Sequence, residues 1–183
     1  PVMRIVASQD RVAQMLTRLR SVDSSPDGWT TYYLDPLTGA RWMRTFLGSD
    51  YHSGGMPILI GEPTPSASEL LELAARSADL TEVAASSWLL AETDRVGAYK
   101  APLIALAEAA AVRNERSRAA LMVVWSALAE EGNLQPAFGK SPAEVTADHE
   151  HFRAIAARAR IVLDGASPGV QRRDSRLFGL APR

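Results

Sequence analysis

A carboxylate and an imidazole lie two residues apart in the polar, glycine-rich run Ser49–Gly55. In extended backbone, Asp50 and His52 project to the same side, so the carboxylate could orient the imidazole, as catalytic and metal-binding histidines require. No second histidine or nucleophile motif lies nearby, and Ser53-Gly54-Gly55 is not the strained turn of serine hydrolases. We therefore favour a structural role for Asp50 and His52. A small hydrolase or metal-dependent enzyme centred on these two residues is the alternative.

The other two histidines, His149 and His151, belong to a run that resembles a set of metal ligands, Asp148-His149-Glu150-His151. The apolar periodicity of this region predicts a helix, in which residues two apart point to opposite sides. A zinc-binding helix instead spaces its histidines four residues apart. We predict an interior His149, a solvent-facing His151, and neither a metal nor a cofactor.

Two groups of residues could form a partner-binding surface. Aromatic side chains, which dominate interface hot spots, crowd into residues 29–51. The predicted partner-binding residues are Trp29, Tyr33, Trp42, Asp50, Tyr51 and His52, although the aromatic rings could equally cover the inner face of a hairpin. Acidic residues are most often a solvated helical face, but here they could also steer a basic partner: Glu69, Glu72, Asp79, Glu82, Glu92 and Asp94.

Composition limits the class of protein. The chain has 183 residues, of which 46% are hydrophobic and 22% are charged. This length and composition predict one soluble domain. With no cysteine, it has no disulfide, thiolate metal site or cysteine nucleophile. The formal net charge of -1 gives no drive toward nucleic acid or membrane surfaces. No secretory signal or membrane-spanning run is recognisable, so a cytoplasmic location is expected.

The elements that would position these residues change character along the chain. An apolar stripe predicts a helix over residues 10–22, and two aromatic runs around the turn Asp35–Gly39 predict a β-hairpin over 29–47. Glycine and proline mark residues 48–65 as a loop. Residues 66–164 are predicted to form a helical array, opened by capping boxes at Ser66 and Asp79. Residues 165–183 are predicted to be a basic C-terminal tail.

We therefore predict a mainly α fold, an irregular helical bundle or short HEAT-like stack with an N-terminal β-hairpin. Residues 1–164 would form a single domain. The segments that connect the predicted helices are short, as in helical-repeat proteins, although no fixed repeat length is apparent.

Two segments together resemble small bacterial immunity-type proteins of polymorphic toxin systems. The first runs from the hairpin through Trp42 into Ser49–Gly55, and the second from Pro63-Thr64-Pro65 to the helical run Ala84–Leu90. The resemblance covers about residues 29–111, and Ser53 stands where that family's loop has its first glycine. It implies a cytoplasmic, non-enzymatic protein that binds and blocks a cognate toxin. The identity of the toxin and the oligomeric state are left open.

Overall fold

The chain forms a mixed α and β fold. The computed structural model describes residues 4–48, 55–94, 96–130 and 138–166. In chain order the elements are β1 (Ile5–Val6), α1 (Gln9–Leu16), β2 (Arg20–Ser24), β3 (Thr31–Leu34), β4 (Arg41–Leu47), β5 (Met56–Gly61), α2 (Ala67–Arg76), α3 (Leu80–Thr93), α4 (Lys100–Val112), α5 (Arg116–Trp125) and α6 (Pro142–Asp164). The prediction of a mainly α fold with only a hairpin was wrong, because the strands form a five-stranded sheet.

The sheet is antiparallel throughout, in the order β1-β5-β4-β3-β2. The predicted hairpin is confirmed as β3 and β4, with Tyr33 opposite Trp42. The amide of Asp35 donates to the carbonyl of Ala40 at 2.8 Å. Gly39 takes the left-handed conformation that closes the turn, with φ +72°. The strong local turn signal therefore placed this pair of strands correctly.

Two strands were predicted as other structure. β5 lies within the predicted loop 48–65, where Ile58, Leu59 and Ile60 are buried on both faces of a central strand. A strand that is buried on both faces lacks the alternation of polar and apolar residues by which strands are recognised in a sequence. The predicted helix 10–22 ends at Leu16 instead, and the chain turns back to form β2.

The sheet separates two apolar cores because successive side chains of a strand point to opposite faces. One face carries Ile5, Leu47 and Ile58, which pack with the helices that follow the sheet. On the opposite face, Leu59 packs with Val12 of α1. The sheet is thus the middle layer between α1 and the remaining helices.

The capping box predicted at Ser66 is confirmed, because Ser66 and Glu69 bond reciprocally at the start of α2. A second reciprocal capping box, which was not predicted, joins Ser141 and Glu144 at the start of α6. Asp79 caps α3 by accepting from the amide of Thr81, without a reciprocal bond from Glu82. Of the helices that the structure describes, none is long and apolar enough to cross a membrane.

Candidate functional site

The polar candidates for chemistry do not come together in the described part of the chain. Asp50, Tyr51 and His52 lie outside the described residues, so their proposed roles stay predictions. The prediction of an interior His149 is wrong, because this residue of α6 is only half-buried. Its Nε2 lies 3.3 Å from Nη2 of Arg153. His151 is exposed, as its helical position predicts. Among residues 4–48, 55–94, 96–130 and 138–166, no cluster of three potential ligands could hold a metal ion.

Two of the predicted partner-binding aromatics are buried instead. Tyr33 and Trp42 face each other across β3 and β4 and are 9% and 8% exposed. They belong to the core that also holds Val12 of α1. The alternative interpretation, in which the aromatic rings cover the inner face of the hairpin, is therefore correct for Tyr33 and Trp42. Neither ring can be part of an exposed binding surface.

Trp29, in contrast, is 45% exposed. Its ring meets the ring of Phe46 with centroids 5.5 Å apart and planes at 89°, which is the edge-to-face arrangement that aromatic pairs prefer. The turn before β3 holds its backbone, because Asp27 Oδ1 accepts from the Trp29 amide at 3.0 Å and from the Ser25 hydroxyl. The hydrogen bond from Ser25, then that from Trp29, lowers the pKa of Asp27.

Arg44 lies beside this pair and was not among the predicted residues. Its guanidinium carbon lies 5.5 Å from the centroid of the Phe46 ring and 6.0 Å from that of Tyr33. Nη2 donates to Thr31 Oγ1 at 3.2 Å. Strand alternation could have placed Arg44 on the face of Trp42 and Phe46, but it could not predict the contacts of its guanidinium with the rings of Tyr33 and Phe46. We call the group formed by Trp29, Thr31, Arg44 and Phe46 the Trp29 surface.

Most of the acidic residues that could have formed a docking surface are instead bonded to other groups of this chain. Glu82 is buried, and its carboxylate binds Arg11 at 2.9 Å and the Ser77 hydroxyl at 2.6 Å. Glu69 closes the capping box of α2. Most of the remaining acidic residues also bond to groups of this chain: Glu72 to Arg76, Asp79 to Thr81, and Asp94 to the amides of Val96 and Tyr99.

Comparisons of the chain with protein-family models, with curated proteins and with solved structures find no match. The resemblance to immunity-type proteins therefore stays a prediction, carried by its sequence segments alone. Within the described residues, the Trp29 surface is the candidate site, because it places an exposed aromatic ring and a positive charge together. It combines an exposed indole with a guanidinium that lies over two aromatic rings.

Proposed function

We propose that this chain is a protein-binding module that acts as an immunity protein, binding and blocking a cognate toxin domain. The observation that carries the proposal is the exposed Trp29, held on the sheet by Phe46. Tryptophan and arginine are both enriched among the residues that dominate protein interfaces, and the Trp29 surface contains one of each. The toxin as partner comes from the sequence resemblance over residues 29–111.

The physical argument concerns the cost of binding. Association loses the conformational freedom of every side chain that it immobilises, and a large ring already fixed in place lowers that cost. The Trp29 indole is fixed by the edge contact with Phe46 and by the turn that Asp27 closes. Covering the exposed part of such a ring would contribute about 1–2 kcal/mol of apolar burial.

The experiment is co-expression of this chain with the protein encoded beside it in the native host. Growth rescue and a direct affinity measurement between the two purified proteins are the readouts. The test variant is Trp29→Ala. The matched control is Leu37→Ala, which removes an exposed apolar side chain, 85% accessible, from the turn between β3 and β4.

We expect growth rescue by the unmodified chain, and an affinity about tenfold weaker for Trp29→Ala than for Leu37→Ala. Circular dichroism and a thermal melt would verify that both variants are folded. A neighbouring protein that is not toxic, or that does not bind, would contradict the immunity role. Equal affinities for the two variants would show that the Trp29 surface is not the interface.

A further inference from the structure

We infer that the Trp29 surface binds an acidic segment of the partner protein. An aspartate or glutamate carboxylate of that segment would bind the Arg44 guanidinium, and an adjacent apolar side chain would pack on the Trp29 indole. The inference rests on the proposed function, because it names the chemistry of the partner that this surface would take.

The first step is a comparison of Arg44 with the other partly buried arginines. Three more are described, namely Arg4, Arg11 and Arg118. Each has a carboxylate within salt-bridge distance: Arg4 and Glu69 at 3.5 Å, Arg11 and Glu82 at 2.9 Å, and Arg118 and Glu115 at 2.8 Å. For Arg44, no carboxylate of the described chain lies within that distance.

The second step is the state of the Arg44 donors. Nε is buried and has no hydrogen-bond partner in the part of the chain that is described, and Nη2 is bonded only to the neutral Thr31 hydroxyl. The rings of Tyr33 and Phe46 attract the cation but accept no strong hydrogen bond from its edge. A partly buried charge that lacks a carboxylate partner favours an anion, and a planar guanidinium suits a carboxylate best.

The third step concerns the charges around the surface. Asp27 is the carboxylate bonded to the Trp29 turn, and it is already occupied by the Ser25 hydroxyl and the Trp29 amide. It forms no described salt bridge with Arg44. A partner carboxylate would therefore not have to displace an ion pair at Arg44 from within the described residues. The apolar neighbour of that carboxylate would pack on Trp29, whose exposed ring contacts Phe46, the ring that Arg44 also lies over.

The experiment selects random peptides displayed on phage against the full chain, and then measures their affinities for purified variants. Arg44→Met removes the charge and keeps much of the side-chain volume. Arg41→Met is the matched control, because Arg41 lies on the same strand but on the opposite face. There it pairs with Glu62 at 2.7 Å. Trp29→Ala is measured in parallel, and thermal melts verify that each variant is folded.

We expect peptides that carry an aspartate or glutamate beside an apolar residue, with affinity about tenfold weaker for Arg44→Met and unchanged for Arg41→Met. Their affinity for the unmodified chain should also fall between about 50 mM and about 500 mM sodium chloride. This salt dependence tests the inference even if Arg44→Met does not fold.

Other outcomes would overturn the inference. Peptides without acidic enrichment, or affinities equal in Arg44→Met and Arg41→Met, would show that Arg44 does not recognise a carboxylate. Loss of binding in Trp29→Ala alone would mean that the Trp29 surface is an interface but that its partner does not bind through a carboxylate.

Discussion

Arg11 and Glu82 join the two sides of the sheet. Arg11 belongs to α1, which packs on one face, and Glu82 belongs to α3, which packs on the other. Their closest atoms, Nη1 and Oε1, are 2.9 Å apart, and Arg11 Nη1 also lies 3.9 Å from Asp79 Oδ2. The Ser77 hydroxyl donates to the second oxygen of Glu82 at 2.6 Å. A single buried carboxylate thus connects the first helix with the helical array.

The first prediction follows from the unequal burial of this pair. The side chain of Glu82 is 9% exposed and that of Arg11 is 38% exposed. Arg11→Met would leave a buried carboxylate without its cation and lower the free energy of unfolding by about 2–3 kcal/mol. Glu82→Gln would cost less, because water can solvate the remaining guanidinium. Urea unfolding of both single variants and the double variant measures the coupling, and a larger cost for Glu82→Gln would contradict this account.

Local signals predicted some elements and could not predict others. The turn at Asp35–Gly39 and the capping box at Ser66 depend on neighbouring residues, and both were predicted correctly. β1 has two residues, too few for any pattern, and it forms only because Ile5 and Val6 pair with β5. Trp42 is buried because it packs in the same core as Val12 of α1, a residue that is distant in the sequence. Sequence alone could therefore not separate this buried ring from the exposed Trp29.

The second prediction concerns Arg118, which caps a neighbouring helix. From α5, its guanidinium donates to the carbonyls of Ala74 and Ser77 at the end of α2, at 3.0 Å and 2.5 Å. A cation at this end also interacts favourably with the helix dipole. Arg118→Met should cost about 1–2 kcal/mol and speed amide exchange at Ser77. Arg116→Met, an exposed change on the same helix, is the control. Equal exchange at Ser77 in both variants would disprove the capping role.

The third prediction is a pH dependence at the contact between α4 and α6. Arg158 donates to Glu108 through Nε and Nη2, at 2.7 Å and 2.6 Å. These charge-assisted hydrogen bonds lower the pKa of Glu108 from its usual 4.5. The unfolded chain binds the proton more tightly, so the pair's stabilisation is complete above pH 4.5 and is lost as pH falls through the lowered pKa.

The corresponding measurement is a double-mutant cycle of Glu108→Gln and Arg158→Met. Both side chains are substantially exposed. Solvent screening therefore limits the expected coupling to about 0.5–1 kcal/mol near pH 7. The coupling should shrink toward zero below the lowered pKa of Glu108. A coupling that stays constant across the acid range would mean that the carboxylate charge does not stabilise this contact.

The fourth prediction concerns Lys100, which is only 3% exposed at the start of α4. Burial lowers its pKa from the usual 10.5, an effect opposed by the charge of Glu130. Its ammonium lies 5.5 Å from the centroid of the Phe152 ring. This cation–π contact compensates part of the lost hydration. Since the unfolded chain binds the Lys100 proton more tightly, the cost of burying the charge is fully present below the lowered pKa. It disappears as pH rises toward 10.5.

Lys100→Met removes the buried charge and keeps an apolar chain over Phe152, so it should raise the free energy of unfolding by about 1 kcal/mol near pH 7. This gain should fade in alkaline solution, where Lys100 is neutral in both states. The control is Lys140→Met, which breaks the ion pair with Asp148 and should instead be neutral or slightly destabilising. A clear loss of stability in Lys100→Met near pH 7 would mean that Glu130 and Phe152 together outweigh the cost of desolvation.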